Sequence, residues 1–284
     1  MQRLTRHTMH LRPDGAPYVT VTTPADLPRV RVLTLNHPER LNAMSFPLVE
    51  SLYAALAQVG ADNECMVAVL TGAGRGFCSG MDLTDVGMPP GSEGLPISRI
   101  AIRAMAFMSD IVPAMRSIPQ PLLAALNGPA YGGGMCLPLG ADIRLAARSA
   151  TFRGAGINNG LSGTECGVSF LLPRLIGASR ANEIILSGRE VDAVEAERIG
   201  LVSRVVEDDH LLEATFELAG RMCGFSAHGL AMTKQVLWAN LEAGSLTAAI
   251  DLENRNQLLV RMTTQNLDEA IRSRREGRTP VYED

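Results

Sequence analysis

The stretch that most constrains this chain is the glycine turn in Ala130-Tyr131-Gly132-Gly133-Gly134-Met135-Cys136. An apolar run from Pro121 to Leu126 reads as a buried strand, Asn127-Gly128-Pro129 breaks it, and Met135 to Leu139 reads as the helix beyond. Strand, glycine turn and helix start, in that order, make an anion site. Glycines let the backbone approach a ligand closely. The first N–H groups of the helix have no intrahelical acceptor and point outward, with the positive end of the dipole behind them. Pro138 is expected in the first turn of that helix, where no N–H is required, and Gly140 ends it. The same glycines would serve a helix packed tightly on a sheet, so the turn alone leaves both readings open.

Composition narrows the class. With 46% hydrophobic but only 4% aromatic residues, the core has to be built from aliphatic side chains and the 13 methionines. A net charge of -4 gives no electrostatic footprint for nucleic acid. No apolar stretch approaches transmembrane length, and the N-terminus lacks the apolar run of a signal peptide. The expectation is a soluble cytoplasmic protein that engages neither membrane nor nucleic acid. The five cysteines, Cys65, Cys78, Cys136, Cys166 and Cys223, contain no Cys-x-x-Cys pair, and the five histidines are scattered. A disulfide framework and a metal site are therefore not expected.

Along the chain, residues 1–17 carry three turn-forming residues and read as a loose arm. Tyr18 to Thr22 and Val30 to Leu35 alternate like a hairpin. Ser45 is placed to cap a helix from Phe46 to Val59, and Val67 to Leu70 is a short apolar strand. The glycines of Thr71 to Leu83 do not fit a dinucleotide fingerprint, because the third comes one residue early and no helix opens behind it. A proline- and glycine-rich loop from Pro89 to Pro96 is either a lid or an ordinary surface excursion, and Ile97 to Arg116 reads as one helix. After an irregular glycine-rich stretch, Ser169 to Ile176, Ala181 to Leu186 and Ala193 to Ile199 are helical, with Asp192 capping the last. Leu201 to Val206 is the final strand. The pattern divides the chain into an N-terminal arm (1–17), a core of repeated strand-strand-helix units (18–207) and an all-helical end (208–284).

Several stretches, in this order and spacing, resemble the crotonase superfamily, the enoyl-CoA hydratase/isomerase type. They are Asn36 to Ala43, Leu70-Thr71-Gly72 through Phe77-Cys78-Ser79-Gly80-Met81-Asp82-Leu83, Pro119 through Gly134, Ala141 to Ala146, Leu172 to Gly177 and Ala193 through Val202. The resemblance implies an α/β fold, a spiral of ββα units whose C-terminal helices assemble homo-trimers or hexamers and complete the active site. It implies an acyl-CoA thioester substrate and no separate cofactor, coenzyme A being part of the substrate. It also implies a thioester enolate held by two backbone N–H groups, here those of Met81 and Gly133. Coenzyme A would lie along Arg40, Leu41, Ala43, Asp82 and Leu83, with Arg40, and Arg275 or Arg278, meeting phosphates.

The chain departs from the hydratase pattern at both catalytic carboxylates: the two glutamates of that pattern fall at Cys136 and Gly156. Glu165, eight residues before Pro173, stands where dienoyl-CoA isomerases and 4-chlorobenzoyl-CoA dehalogenase carry a catalytic aspartate. The tryptophan of the dehalogenase is missing. At the junction of a glycine-rich loop and an apolar helix, partial burial would raise the Glu165 pKa toward the range useful for proton transfer. A carboxylate that only complements a helix dipole would stand at the same place. The expectation is an acyl-CoA enzyme favouring double-bond isomerisation over hydration. The alternatives are a hydrolase or lyase on an unusual acyl-CoA, and a CoA-binding subunit that has lost catalysis. Arg153, Asn158 and Asn159 are candidates for further polar contacts.

Overall fold

The computed structural model describes residues 7–283. β1 (Val19–Thr22) and β2 (Val30–Leu35) pair antiparallel, Val19 opposite Leu35. α1 (Phe46–Gly60) begins where Ser45 Oγ accepts the Leu48 N–H, and β3 (Val67–Gly72) follows it. α2 (Ile97–Ser109) and α3 (Ile111–Ser117) are two helices where one was expected. They part at Asp110 because Pro113 has no N–H to return to the carbonyl of Ser109.

β4 (Leu122–Leu126) leads through β5 (Ala130–Tyr131) into α4 (Gly133–Leu139), and β6 (Ile143–Ala147) and β7 (Thr151–Arg153) come next. α5 (Val168–Ile176), α6 (Ala178–Ser187), β8 (Val191–Asp192), α7 (Ala193–Ile199) and β9 (Arg204–Val206) complete the spiral. α8 (Leu211–Met222), α9 (Ala227–Asn240), α10 (Leu246–Thr263) and α11 (Asn266–Glu276) make the helical end.

The main sheet runs β1-β2-β3-β4-β6-β9 and is parallel except at the hairpin; β5, β7 and β8 form a second, small sheet. Alternation along the strands explains how the main sheet is covered. Leu33, Leu35, Ala68, Leu70, Leu122 and Ala124 face one core, shared with α1, α3 and α4. Val30, Val32, Val67, Val69, Leu123 and Ala125 face the other, which α8 covers with Leu211 and Ala219. Near-continuous apolar strands are what a sheet buried on both faces requires.

Three further expectations need correction, and two short strands are added. Pro138 lies in the second turn of α4, because the helix already opens at Gly133; its missing N–H falls where the helix is about to end at Gly140. The last strand is Arg204–Val206 alone, since Leu201 caps α7 by donating its N–H to Ala196 O. β5 and β8 are strands of two residues each, too short to leave a pattern. The arm is not loose over its described part: the His10 N–H donates to Ser51 Oγ, His10 Nε2 lies 2.7 Å from Glu50 Oε2, and Arg12 donates to Asn36 O. The remainder of that arm, residues 1–6, lies outside the described residues.

α9 is pinned to the sheet through one charge pair. Lys234, 5% exposed, donates to Gln120 O at 2.8 Å and stands 3.2 Å from Asp142 Oδ2. Asp142 also accepts the Trp238 indole N–H and the Leu122 N–H that opens β4.

Candidate active site

The segment Cys78 to Asp82 is fastened on both sides by backbone hydrogen bonds. Toward β5, Cys78 N–H donates to Pro129 O and Tyr131 N–H donates to Cys78 O. Toward the other side, Ser79 N–H donates to Leu41 O, Met44 N–H to Gly80 O and Asp82 N–H to Met44 O. Gly80 has a φ of +90°, and a Cβ there would fall 2.7 Å from Tyr131 O, so only glycine fits. The N–H of Met81, flanked by these bonds, donates to no acceptor among the described residues. Nor does that of Gly133, the first residue of α4. The site a Cβ of Gly80 would occupy lies 3.5 Å from Gly133 N, which puts the two segments side by side. Gly132, with a φ of +52°, turns the chain from β5 into α4 and so aims the Gly133 N–H at this corner.

Glu165 is at the same corner. Its Oε1 lies 3.3 Å from where a Cβ of Gly132 would be, and its Oε2 4.0 Å from the equivalent point on Gly133. No hydrogen bond or ion pair holds this carboxylate among the described residues, and partial burial without a countercharge raises its pKa. It does not cap α5: no side chain caps that helix, and Gly167 is its first flanking residue. The backbone next to it is strained, with Cys166 at a φ of +45° and Gly167 at +80°. Non-glycine positive φ is confined to Leu41, Asn42 and Cys166 among the described residues: Cys166 follows Glu165, and the Leu41 carbonyl accepts the Ser79 N–H.

The two positions to which the resemblance assigns the hydratase glutamates, Cys136 and Gly156, carry no carboxylate here. Cys136 is buried, and its thiol pKa is pushed well above the ordinary value by its interaction with the Cys166 thiol and by burial. A Cβ on Gly156 would fall 2.2 Å from Ser162 O, so no side chain fits without moving backbone.

The loop from Arg40 to Ala43 is organised by Asn42, which sequence reading left without a role of its own. Fully buried, it accepts the His37 N–H and donates to Ala73 O and Gly76 O, tying this loop to the one after β3. Its left-handed backbone is the one available signal, and a sequence does not display it. Arg40 donates to Asp82 Oδ1 at 2.5 Å, and the same oxygen takes the N–H groups of Thr84 and Asp85 and the Thr84 hydroxyl. Burial pushes the Asp82 pKa up, but these bonds outweigh it and hold the group below the usual carboxylate value. Leu83 is exposed beside it. The segment from Thr84 to Pro96 is fastened by Phe46 N–H to Val86 O and by Arg103 to Gly91 O.

Of the other candidates, two are ion-paired and three are exposed. Arg153 pairs with Glu190 at 3.0 Å, and Asn158 and Asn159 are exposed. Arg278 pairs with Glu269 and Glu276, whereas Arg275 is exposed in the last turn of α11. Among the described residues no group of three or more His, Cys, Asp or Glu is placed to hold a metal ion, and no helix is long and apolar enough to cross a membrane.

A fold of this topology defines an acyl-CoA enzyme of the crotonase superfamily. The chain belongs to the enoyl-CoA hydratase/isomerase family, whose family model matches residues 28–284. It is 52% identical over 257 residues to a probable enoyl-CoA hydratase, echA12, of Mycobacterium tuberculosis, with 90% of each chain covered. It is 37% identical over 230 residues to 1,2-epoxyphenylacetyl-CoA isomerase of Escherichia coli, covering 81% of this chain and 86% of that one. Among solved structures, a probable enoyl-CoA hydratase/isomerase of Mycobacterium abscessus matches with a TM-score of 0.89 and 45% identity, over 94% of this chain and 98% of its own. A monofunctional enoyl-CoA isomerase of M. smegmatis matches with a TM-score of 0.69 and 46% identity, over 82% of this chain and 98% of its own.

Proposed function

We propose that this protein moves a carbon–carbon double bond within an enoyl-CoA thioester, using Glu165 as its single acid/base. The thioester oxygen sits between the N–H groups of Met81 and Gly133, which strengthen their hold as it gains charge. Removing one such donor typically costs about 100-fold to 1000-fold in rate. In a 3-enoyl-CoA, Glu165 takes a proton from C2, the electron pair delocalises into the thioester as an extended enolate, and the same carboxyl returns a proton at C4. The double bond then lies between C2 and C3.

The observation that carries this reading is the placement of Glu165 against Gly132 and Gly133 with no cation or donor to satisfy it among the described residues. A carboxyl left unpaired and destabilised in its charged form is a better proton acceptor than an ion-paired one. Water addition needs two carboxyls to orient and split the water, and the positions for them are a buried thiol and a closed glycine. The isomerase names of the E. coli and M. smegmatis proteins agree with this choice, while the M. tuberculosis relative is named for hydration.

The nucleotide portion is assigned to Arg40, Leu41, Ala43, Asp82 and Leu83, with Arg40 able to turn from Asp82 to a phosphate. Assembly into a homo-trimer or hexamer is supported by α10, which buries none of its residues within the protomer and exposes Leu258, Leu259 and Met262. The deciding experiment follows deuterium uptake at C2 of a 3-enoyl-CoA together with appearance of the 2-enoyl product. Uptake and isomerisation in the unmodified protein, both lost in Glu165→Gln, support the assignment. Uptake unchanged in Glu165→Gln overturns it.

A further inference from the structure

Cys136 stands where a hydratase carries one of its glutamates, and in this chain its thiol is turned onto the main chain of the residue that bears the remaining carboxyl. Cys136 Sγ donates to Glu165 O at 3.5 Å, on a carbonyl that also accepts the Val168 N–H at 2.9 Å. Both sites on that oxygen are thus used, one by α5 and one by α4. Cys136 follows Gly133 by three residues on α4, one turn of helix. The element that offers the Gly133 N–H therefore also grips the backbone of Glu165.

We infer that Cys136 is a positioning residue, a clasp that fixes the Glu165 backbone to α4 so that the base and the oxyanion donor are held by one rigid element. The inference rests on Glu165 being the acid/base. Three observations support it. The segment being held needs holding, since Cys166 and Gly167 are both in left-handed conformations and Glu165 has no side-chain bond of its own. Cys136 is 2% exposed and keeps its proton, so the thiol is a donor, to Glu165 O and to the neighbouring Cys166 sulfur, and not a nucleophile. On its other side, Cys166 Sγ donates to Met108 O in α2, so the residue after Glu165 is secured as well. The ionisable groups facing the Glu165 carboxyl are the thiols of Cys136 and Cys166; no lysine, arginine or histidine does so among the described residues.

A clasp and a packing residue respond differently to substitution, because serine keeps a donor and alanine does not. The experiment measures kcat, KM and the pH dependence of kcat for 3-enoyl-CoA isomerisation, with C2 deuterium uptake, in the unmodified protein, Cys136→Ala, Cys136→Ser, Cys136→Val and Glu165→Gln. Misplacing a reacting group by about 1 Å costs up to roughly 100-fold, so Cys136→Ala and Cys136→Val are expected to lose about tenfold in kcat with KM within twofold. Their acid limb should move to lower pH, because a released carboxyl reaches water and ionises more readily. Cys136→Ser should stay within about threefold of the unmodified protein on all three measures. Valine fills the site without a donor, being larger than cysteine by about one methyl group, and covers the case in which alanine unfolds. Equal losses in serine and valine, or full kcat with an unmoved acid limb in alanine and valine, overturn the clasp. Glu165→Gln separates the two claims. If it is inactive while Cys136→Ala is normal, only the clasp falls; if it is fully active, the base assignment falls and takes the clasp with it.

Discussion

Glu165 and Gly132 approach so closely that a single methyl group on the glycine would come within 3.3 Å of the carboxyl oxygen. The turn that aims the Gly133 N–H therefore also leaves the room in which the carboxyl sits. On the proposed reading, donor and base share one glycine, which ties the electrostatic half of the site to the proton-transfer half.

Glu165→Gln keeps size and polarity and removes the base. Turnover should fall by roughly 100-fold or more with acyl-CoA affinity little changed, measured by C2 exchange and by calorimetry. The same variant should be the more stable protein near neutrality. Burial raises the folded pKa above the ordinary carboxylate value of 4.5, so the folded state holds a proton that the unfolded chain releases. Stability is therefore lost as pH rises from that value through the raised one. Thermal melts should place Glu165→Gln above the unmodified protein at pH 8 and level with it at pH 4; equal melts at both would refute the burial argument.

Hydration of crotonyl-CoA should be slow beside isomerisation of a 3-enoyl-CoA. Restoring a carboxylate by Gly156→Glu should not repair it, because the new side chain meets Ser162 O at 2.2 Å from its first carbon. The expected result is a lower melting temperature with no gain in hydration. A stable variant that hydrates well would show that the loop has room to yield.

Asp82→Asn tests the loop that is assigned to the nucleotide. Asp82 is 4% exposed and takes three hydrogen bonds from Thr84 and Asp85 besides Arg40. A hydrogen bond to a charged group is worth about 1.5–3 kcal/mol, and asparagine loses the charge-assisted part, so a cost of about 1–3 kcal/mol is expected at pH 7. Because the folded pKa is held down, this contribution is present above the ordinary value of 3.8 and fades as pH falls through the folded one. Urea melts at pH 7 and pH 3 should show the gap closing.

Binding should require the thioester and the nucleotide together. Calorimetry is expected to register an acyl-CoA and not the corresponding free acid, since the acid has neither the nucleotide nor a thioester oxygen for the two N–H groups. Equal binding of both would remove Arg40 to Ala43 and Met81 to Leu83 from the site.

The elements that were legible in the sequence are those whose information is local. Alternation in Val30 to Leu35, the cap at Ser45 and the cap at Asp192 each depend on residues a few positions apart, and the structure has them. The sequence carries Pro113, yet the helical pattern around it hides the break at Asp110. The site was only half legible. Gly133 announced a free N–H through its place in a glycine turn, and Glu165 stood out by its spacing to Pro173. That Glu165 lies against Gly132, that Gly156 is shut by Ser162 and that Cys136 reaches the Glu165 carbonyl are contacts over at least six residues and as many as 33. No periodicity records them.

Asp142 has a history during synthesis that its final bonds conceal. It emerges from the ribosome roughly ninety residues before Lys234, about 5–20 s earlier at ordinary translation rates. Through that interval the carboxyl beside the start of β4 lacks the cation and the indole it is built to meet. The countercharge for a group at the start of β4 thus comes from a helix about ninety residues further along the chain.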